Sequence, residues 1–263
     1  MSRLLMAVGL AWSPASLPAQ VSPGPLEYRL SVLACARFAV SVQTSIRSDL
    51  GRQQRNERVQ WSGTLVVTAG DSADALVVEA WFDSLSAVRD TPGATLRPDP
   101  DGLIGGRYAG VLTRAGRYSA RLQPFIPSGL AEVYDFRRVP ELLWPPLPPG
   151  PLVVGESWEG DEAWVVRRLS DSTMAAGVLE RYALTFAPRS SPTSLPDSLV
   201  AETTETEQGV FAWQRDGGLW SWARSIHSEV TVRRGDRTSL STKARQEVVI
   251  QRIDRCDDAG NGR

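Results

Sequence analysis

The chain has 263 residues, a formal net charge of −1 and a pI near 6.0, with 42% hydrophobic residues. Such a balance supplies no field to steer a polyanion or to hold an anionic membrane surface, which excludes nucleic acid as an expected partner. The length is enough for one large all-β domain with a full core.

Residues 1–19 read as a secretion signal: Arg3 supplies the basic start, LLMAVGLAW a short apolar core, and SPASLPA a small-residue exit with cleavage expected after Ala19. The apolar run is too short to span a bilayer. Residues 20–263 are then expected to form a single exported all-β domain, periplasmic or extracellular, with no transmembrane segment in the mature chain. Export places Cys35 and Cys256 where thiols oxidise, and a bridge between them would tie the chain ends together. Cys35 falls on the polar side of its alternation, which puts such a bridge at a surface or an edge. The stretch Val32-Leu33-Ala34-Cys35 has the form of a lipid-attachment box, but Glu27 and Arg29 break the apolar run it requires.

From Tyr28 the chain alternates, with Tyr28, Leu30, Val32, Ala34, Phe38, Val40, Val42 and Ile46 on one parity, which predicts a half-buried strand with a bend or a late start near Cys35. A second strand places Val59, Trp61, Leu65 and Val67 together; a third carries Leu76, Val78, Ala80 and Phe82 opposite Val77, Glu79, Trp81 and Asp83. Residues 89–106 are rich in Pro, Gly and Asp and predict a long loop. Short strands follow near 107–113 and 118–122, then a helix over about 129–143 that Pro140 interrupts. In LLWPPLPPGPLVVGESW the prolines at 145, 146, 148, 149 and 151 admit neither helix nor ladder, so 144–151 predict a crossover. Strands through Trp158–Val166 and Met174–Phe186 come next, then a surface excursion at 187–197, then strands over about 199–214, 219–233 and 238–253.

His227 is the sole histidine and shares the polar parity of its strand with Ser225, Glu229 and Thr231; a zinc site lacks ligands, and no metal or cofactor is expected. Gly155-Glu156-Ser157-Trp158-Glu159-Gly160 lacks the G-x-S-x-G spacing of an esterase elbow. Asp99 and Asp101 lack the further oxygen ligands of a calcium loop, and Arg234-Gly235-Asp236 reads as a hairpin turn. Glu79, Asp83, Glu202 and Glu205 could supply an acid/base pair only if two of them converge. The tryptophans are more telling, since large rings with a polar edge suit a core or a ligand cleft.

The box Leu147-Pro148-Pro149 through Val154-Gly155-Glu156-Ser157-Trp158 resembles secreted bacterial proteins of unknown function in which an "LPP…VGxSW" crossover interrupts an antiparallel sheet. The strand-rich flanks extend that likeness over residues 26–253. The family supplies no catalytic residues. In shape alone the pattern is similar to half-barrel lipoprotein carriers of the bacterial envelope, whose curved sheet around a helix holds acyl chains.

Together these readings predict a mainly β protein: a single curved antiparallel sheet or half-barrel of about ten strands with one short helical plug. The expected function is non-enzymatic binding of a hydrophobic ligand or envelope partner by the apolar face, walled by Trp61, Phe82, Leu112, Trp220, Trp222 and Val230. A structural or assembly component without a small ligand is the alternative. A carboxylate-dependent hydrolase is the second alternative.

Overall fold

The computed structural model describes residues 24–256 except 52, 161–162, 175–176, 197–198, 236 and 255. The expected signal at 1–19 lies outside the described residues, as does Asp236 of the Arg-Gly-Asp turn. The first strand starts late. Residues 24–29 carry no regular structure, α1 (Leu30–Leu33) is a single turn that buries Val32 and Leu33, and β1 runs Ala36–Leu50. Tyr28 is held outside the sheet because its hydroxyl donates to the Pro145 carbonyl at 3.2 Å.

The first half of the chain then makes β2 (Gln53–Ser72), β3 (Ala75–Thr91), β4 (Ala94–Leu96), β5 (Tyr108–Thr113) and β6 (Tyr118–Leu122). The expected loop at 89–106 is therefore partly strand, since β3 continues to Thr91 and turns at Gly93, φ +92°, into β4. The helix expected at 129–143 is two pieces, α2 (Ser128–Ala131) and a 3₁₀ segment (Phe136–Leu143) that contains Pro140. A 3₁₀ turn tolerates the missing proline donor where a continuous α-helix does not.

The second half makes β7 (Ser157–Glu159), β8 (Trp164–Arg168), β9 (Ser172–Met174), β10 (Gly177–Leu195), β11 (Leu199–Gln214), β12 (Gly218–Arg234) and β13 (Arg237–Asp254). The surface excursion expected at 187–197 is corrected: Arg189–Leu195 belong to β10 and pair with β11 after a register shift past Phe186. Pro188 and Pro192 are tolerated because the pairing of β10 with β8 ends at Phe186, which leaves the outer edge without a ladder to interrupt.

All thirteen strands join one sheet in the order β6-β5-β3-β2-β1-β13-β12-β11-β10-β8-β7, with β4 on β3 and β9 on β10. The excess over the expected number comes from β4, β7 and β9, three residues each. The first and last strands, β1 and β13, pair at the centre, and from β1 the strands wind outward to β6. It must then cross from one edge to the other to begin β7. Residues 123–156 make that crossing over the inner face, and this is why the helical turns and the prolines fall there. We call the stretch 128–147 the strap.

The strap buries Leu130, Phe136, Val139 and Leu143 completely, against Phe38, Leu65, Leu76, Phe82, Leu112, Phe211 and Ile250 of the sheet. Fully burying each such side chain contributes about 1.5–3 kcal/mol. Hydrogen bonds pin it midway and at its C-terminal end: the Tyr108 hydroxyl donates to the Phe136 carbonyl at 2.9 Å, and the Leu147 amide to the Ala115 carbonyl at 3.0 Å. Gly116, φ +95°, closes the β5–β6 turn beneath it, and a Cβ there would lie 2.5 Å from the Pro145 carbonyl oxygen. Gly116→Ala is expected to cost about 1–3 kcal/mol through a strained backbone and a displaced strap; an unchanged denaturation midpoint would show that the strap seats elsewhere.

Cys35 and Cys256 are bonded, with Cα atoms 5.4 Å apart. Beside them the buried Arg252 donates to the Val32 carbonyl at 3.1 Å and also to the Gly217 carbonyl, joining α1 and the β11–β12 turn to the last strand. No helix among the described residues is long and apolar enough to cross a membrane.

Candidate functional site

The inner face is one surface with two regions. Its upper region, around β1 residues 36–42, is covered by the strap. Trp61 and Trp222 are each 2% exposed there, and Phe82 and Leu112 0%. Trp61 stands edge-on to Phe82 and lies 5.5 Å from the Phe136 ring. These four predicted wall residues are in the packed core between sheet and strap. Trp220 is half-buried, because a register shift in the β11–β12 pairing past Ala212 places Leu219, opposite Trp213, in the core position. Val230 is half-buried and lies beyond the strap.

That lower region is built from strands that continue past the strap. The register places Arg89, Val59, Thr44, Gln246, Ile226, Glu207, Phe186 and Trp164 in one row across eight strands. Below it come Ile46, Ala244 and Ser228, then Ser48, Thr242 and Val230, then Leu240 and Val232. All of these last eight are half-buried. Ser48 and Thr242 hydroxyls lie 3.1 Å apart, which confirms that they share a face.

On the outer face of the same strands the residues are charged: Lys243 pairs with Glu229 at 3.3 Å, and Arg245 with Glu247 at 2.7 Å. The alternation of small or aliphatic inside and charged outside therefore persists past the strap.

A polar tier separates the two regions. Arg224 donates to Glu207 at 2.8 Å, with side chains 9% and 5% exposed, and its guanidinium lies 4.3 Å from the Trp222 ring centroid. Gly209 makes room for it, since a Cβ there would stand 2.8 Å from the Arg224 Cβ. Burial pushes the Glu207 carboxyl above its ordinary range, and Arg224 pulls against that shift. Gln246 donates to the Thr44 hydroxyl at 3.4 Å and to the Tyr134 hydroxyl at 3.3 Å. Burial also raises the Tyr134 phenol, against the Gln246 hydrogen bond. Toward the first half of the sheet, Arg89 Nε donates to Glu57 at 3.0 Å, and Arg89 also reaches the Glu132 carbonyl at the foot of the strap.

Sequence reasoning missed this tier. The signal available was the charged residue on a buried parity: Glu207 aligns with Phe211, and Arg224 with Trp222.

The other candidates are spread over the outer face and the edges. Exposed His227 has Nε2 3.2 Å from the Ser225 hydroxyl, which donates to Glu247 at 2.9 Å. The Glu247 carboxyl is lowered: burial acts to raise it, but hydrogen bonds from Arg245 and Ser225 outweigh that. The serine proton thus faces a carboxylate, and β12 is paired on both sides, so its backbone N–H groups are engaged in the ladder instead of forming an oxyanion hole.

Glu79 lies 3.9 Å from Arg107, Glu202 lies 4.0 Å from Arg233, and Asp83 pairs with Arg37. Each of these carboxylates faces a cation. Among the described residues no group of three or more His, Cys, Asp or Glu side chains is placed to hold a metal. Ser157, the candidate elbow serine, is exposed at the start of β7, an edge strand.

No protein-family model matches the chain, and no curated protein matches it in sequence. Among solved structures it is similar to the beta domain of the Bordetella autotransporter Brka, at 11% sequence identity and a TM-score of 0.33, with 83% of this chain and 100% of that chain covered.

Proposed function

We propose that the protein is an exported, non-enzymatic half-barrel that binds an elongated hydrophobic ligand on the lower inner face. The observation that carries the reading is the stripe of Ile46, Ile226, Val230, Val232, Ala244 and Leu240, half-buried and without a cover among the described residues, continuous in register with a core that the strap covers. A small-residue and aliphatic surface of this kind gains from covering apolar chain at about 25 cal/mol per Å². The strap already fills the upper region, so the wall formed by Trp61, Phe82, Leu112 and Trp222 supports the ligand's head end, while Val230 lies in its path. Trp220 stands beside this wall. The disulfide supports an oxidising, extracytoplasmic location, periplasmic or secreted.

Titration with twelve-carbon single-chain amphiphiles below their micellar concentration is expected to change the emission of Trp61 and Trp222, which border the tier. Val230→Glu, which places a charge on the stripe without entering the core, is expected to weaken binding at least about tenfold. A flat response to every amphiphile would overturn the reading and leave the assembly role.

A further inference from the structure

Burying a polar group without a partner costs free energy, so a fold that leaves several donors unmet in one place is locally short of acceptors. Five buried side-chain atoms among the described residues lack a hydrogen-bond partner, and all five are donors: Nε of Arg37 and Arg224, and the indole Nε1 of Trp61, Trp144 and Trp222. Arg37 belongs to the outer face, and Trp144 sits at the far end of the strap, edge-on to Tyr28. The remaining three border the lower end of the strap. Trp222 and Arg224 are successive inward residues of β12, stacked on each other. Trp61 packs 5.4 Å from the Tyr134 ring, whose hydroxyl takes the Gln246 amide. Both indoles are 2% exposed and the Arg224 side chain 9%. The row through Gln246 and Ile226, the last that the strap touches, lies immediately below.

We infer that the ligand is an amphiphile whose head carries hydrogen-bond acceptors, an acyl carboxylate or acyl ester. The head faces Trp222, Arg224 and Trp61, and the chain runs down over Ile226, Ile46, Ala244 and Val230. This rests on the hydrophobic-ligand reading and adds the head-group chemistry to it. Arg224 spends Nη1 on Glu207, which leaves Nε for the ligand. The indole N–H groups can only donate, so they reward an acceptor and gain nothing from a quaternary ammonium head. Because the three donors are closed off from solvent, Tyr134 must yield as the head enters, and its 3.3 Å hydrogen bond to Gln246 is the contact it gives up.

The test compares dodecanoate, 1-monolauroylglycerol and dodecyltrimethylammonium, which share a chain length, on the full chain. Dodecanoate is expected to bind at least about tenfold tighter than dodecyltrimethylammonium. Trp222→Phe keeps an aromatic ring and removes the N–H; it is expected to take away most of that preference. Trp61→Phe serves as the second variant should Trp222→Phe fail to fold. Tightening by dodecanoate and by the monoglyceride together assigns an ester or acid carbonyl; tightening by dodecanoate alone assigns a free acid. Equal binding of all three amphiphiles, or a preference that both Trp→Phe variants retain, overturns the head-group inference and leaves the lower-face reading standing. Failure of all three to bind removes both.

Discussion

Reduction of the Cys35–Cys256 bond is expected to lower the unfolding free energy by about 5 kcal/mol, the value the loop-closure relation gives for so long a loop. The bonded residues are 221 apart in sequence. The physical reason is the place of the bond in the sheet. The β1–β2, β2–β3, β10–β11, β11–β12 and β12–β13 pairings are closed by local turns, but the β1–β13 seam joins strands from opposite ends of the chain. Without the bond the unfolded chain must close nearly its whole length before Phe38 can meet Arg252 or Val40 meet Ile250. The loss therefore comes mainly from a freer unfolded state, and the native seam keeps its register. Denaturant titrations with and without reductant, and of the Cys35→Ser/Cys256→Ser pair, measure the effect. A loss under about 1 kcal/mol would mean that the seam, together with Arg252 and its carbonyl partners, already holds the ends as firmly in the denatured ensemble.

Period-two patterning carried most of the architecture. Phe38, Val40 and Val42, then Val59, Trp61 and Leu65, alternate cleanly and are buried as the pattern requires. The proline run was legible as a crossover because its missing donors admit no ladder. Less legible was its use as a strap, since that depends on β1 and β13 meeting at the centre, a long-range pairing that no local signal contains. Pro188 and Pro192 misled for a related reason: a proline is destructive in a paired strand and harmless on a free edge, and only the sheet order shows which case applies. Trp220 was misplaced by a single register shift, which exchanges faces along a strand and leaves composition unchanged. The lower face was visible as parity in Ile46, Ile226, Val230 and Val232. Its lack of cover was not, because the sequence does not say how far a strap reaches along strands of 15 to 20 residues.

Glu207→Ala is expected to destabilise the fold by about 3–5 kcal/mol, because it leaves the Arg224 guanidinium buried without its counter-charge. Glu207→Gln retains an acceptor and is expected to cost far less. The double change Glu207→Leu/Arg224→Met, which removes both desolvated charges and extends the apolar face, is expected to be near neutral or stabilising.

The pH dependence separates these cases. Burial raises the folded-state Glu207 carboxyl above its unfolded value, so the folded chain holds that proton more tightly. Its contribution favours folding below the ordinary carboxylate range and is lost as pH rises through the raised folded value. Wild type should thus lose stability relative to Glu207→Gln as pH climbs across the carboxylate range, and the gap should stay constant above it. Glu247 works the other way: its lowered carboxyl stabilises above the ordinary range and gives up that contribution as pH falls. Were wild type to gain on Glu207→Gln with rising pH, Arg224 would be outweighing the desolvation of Glu207. The tier would then be a net support of the fold, with less reason to yield to a ligand's head.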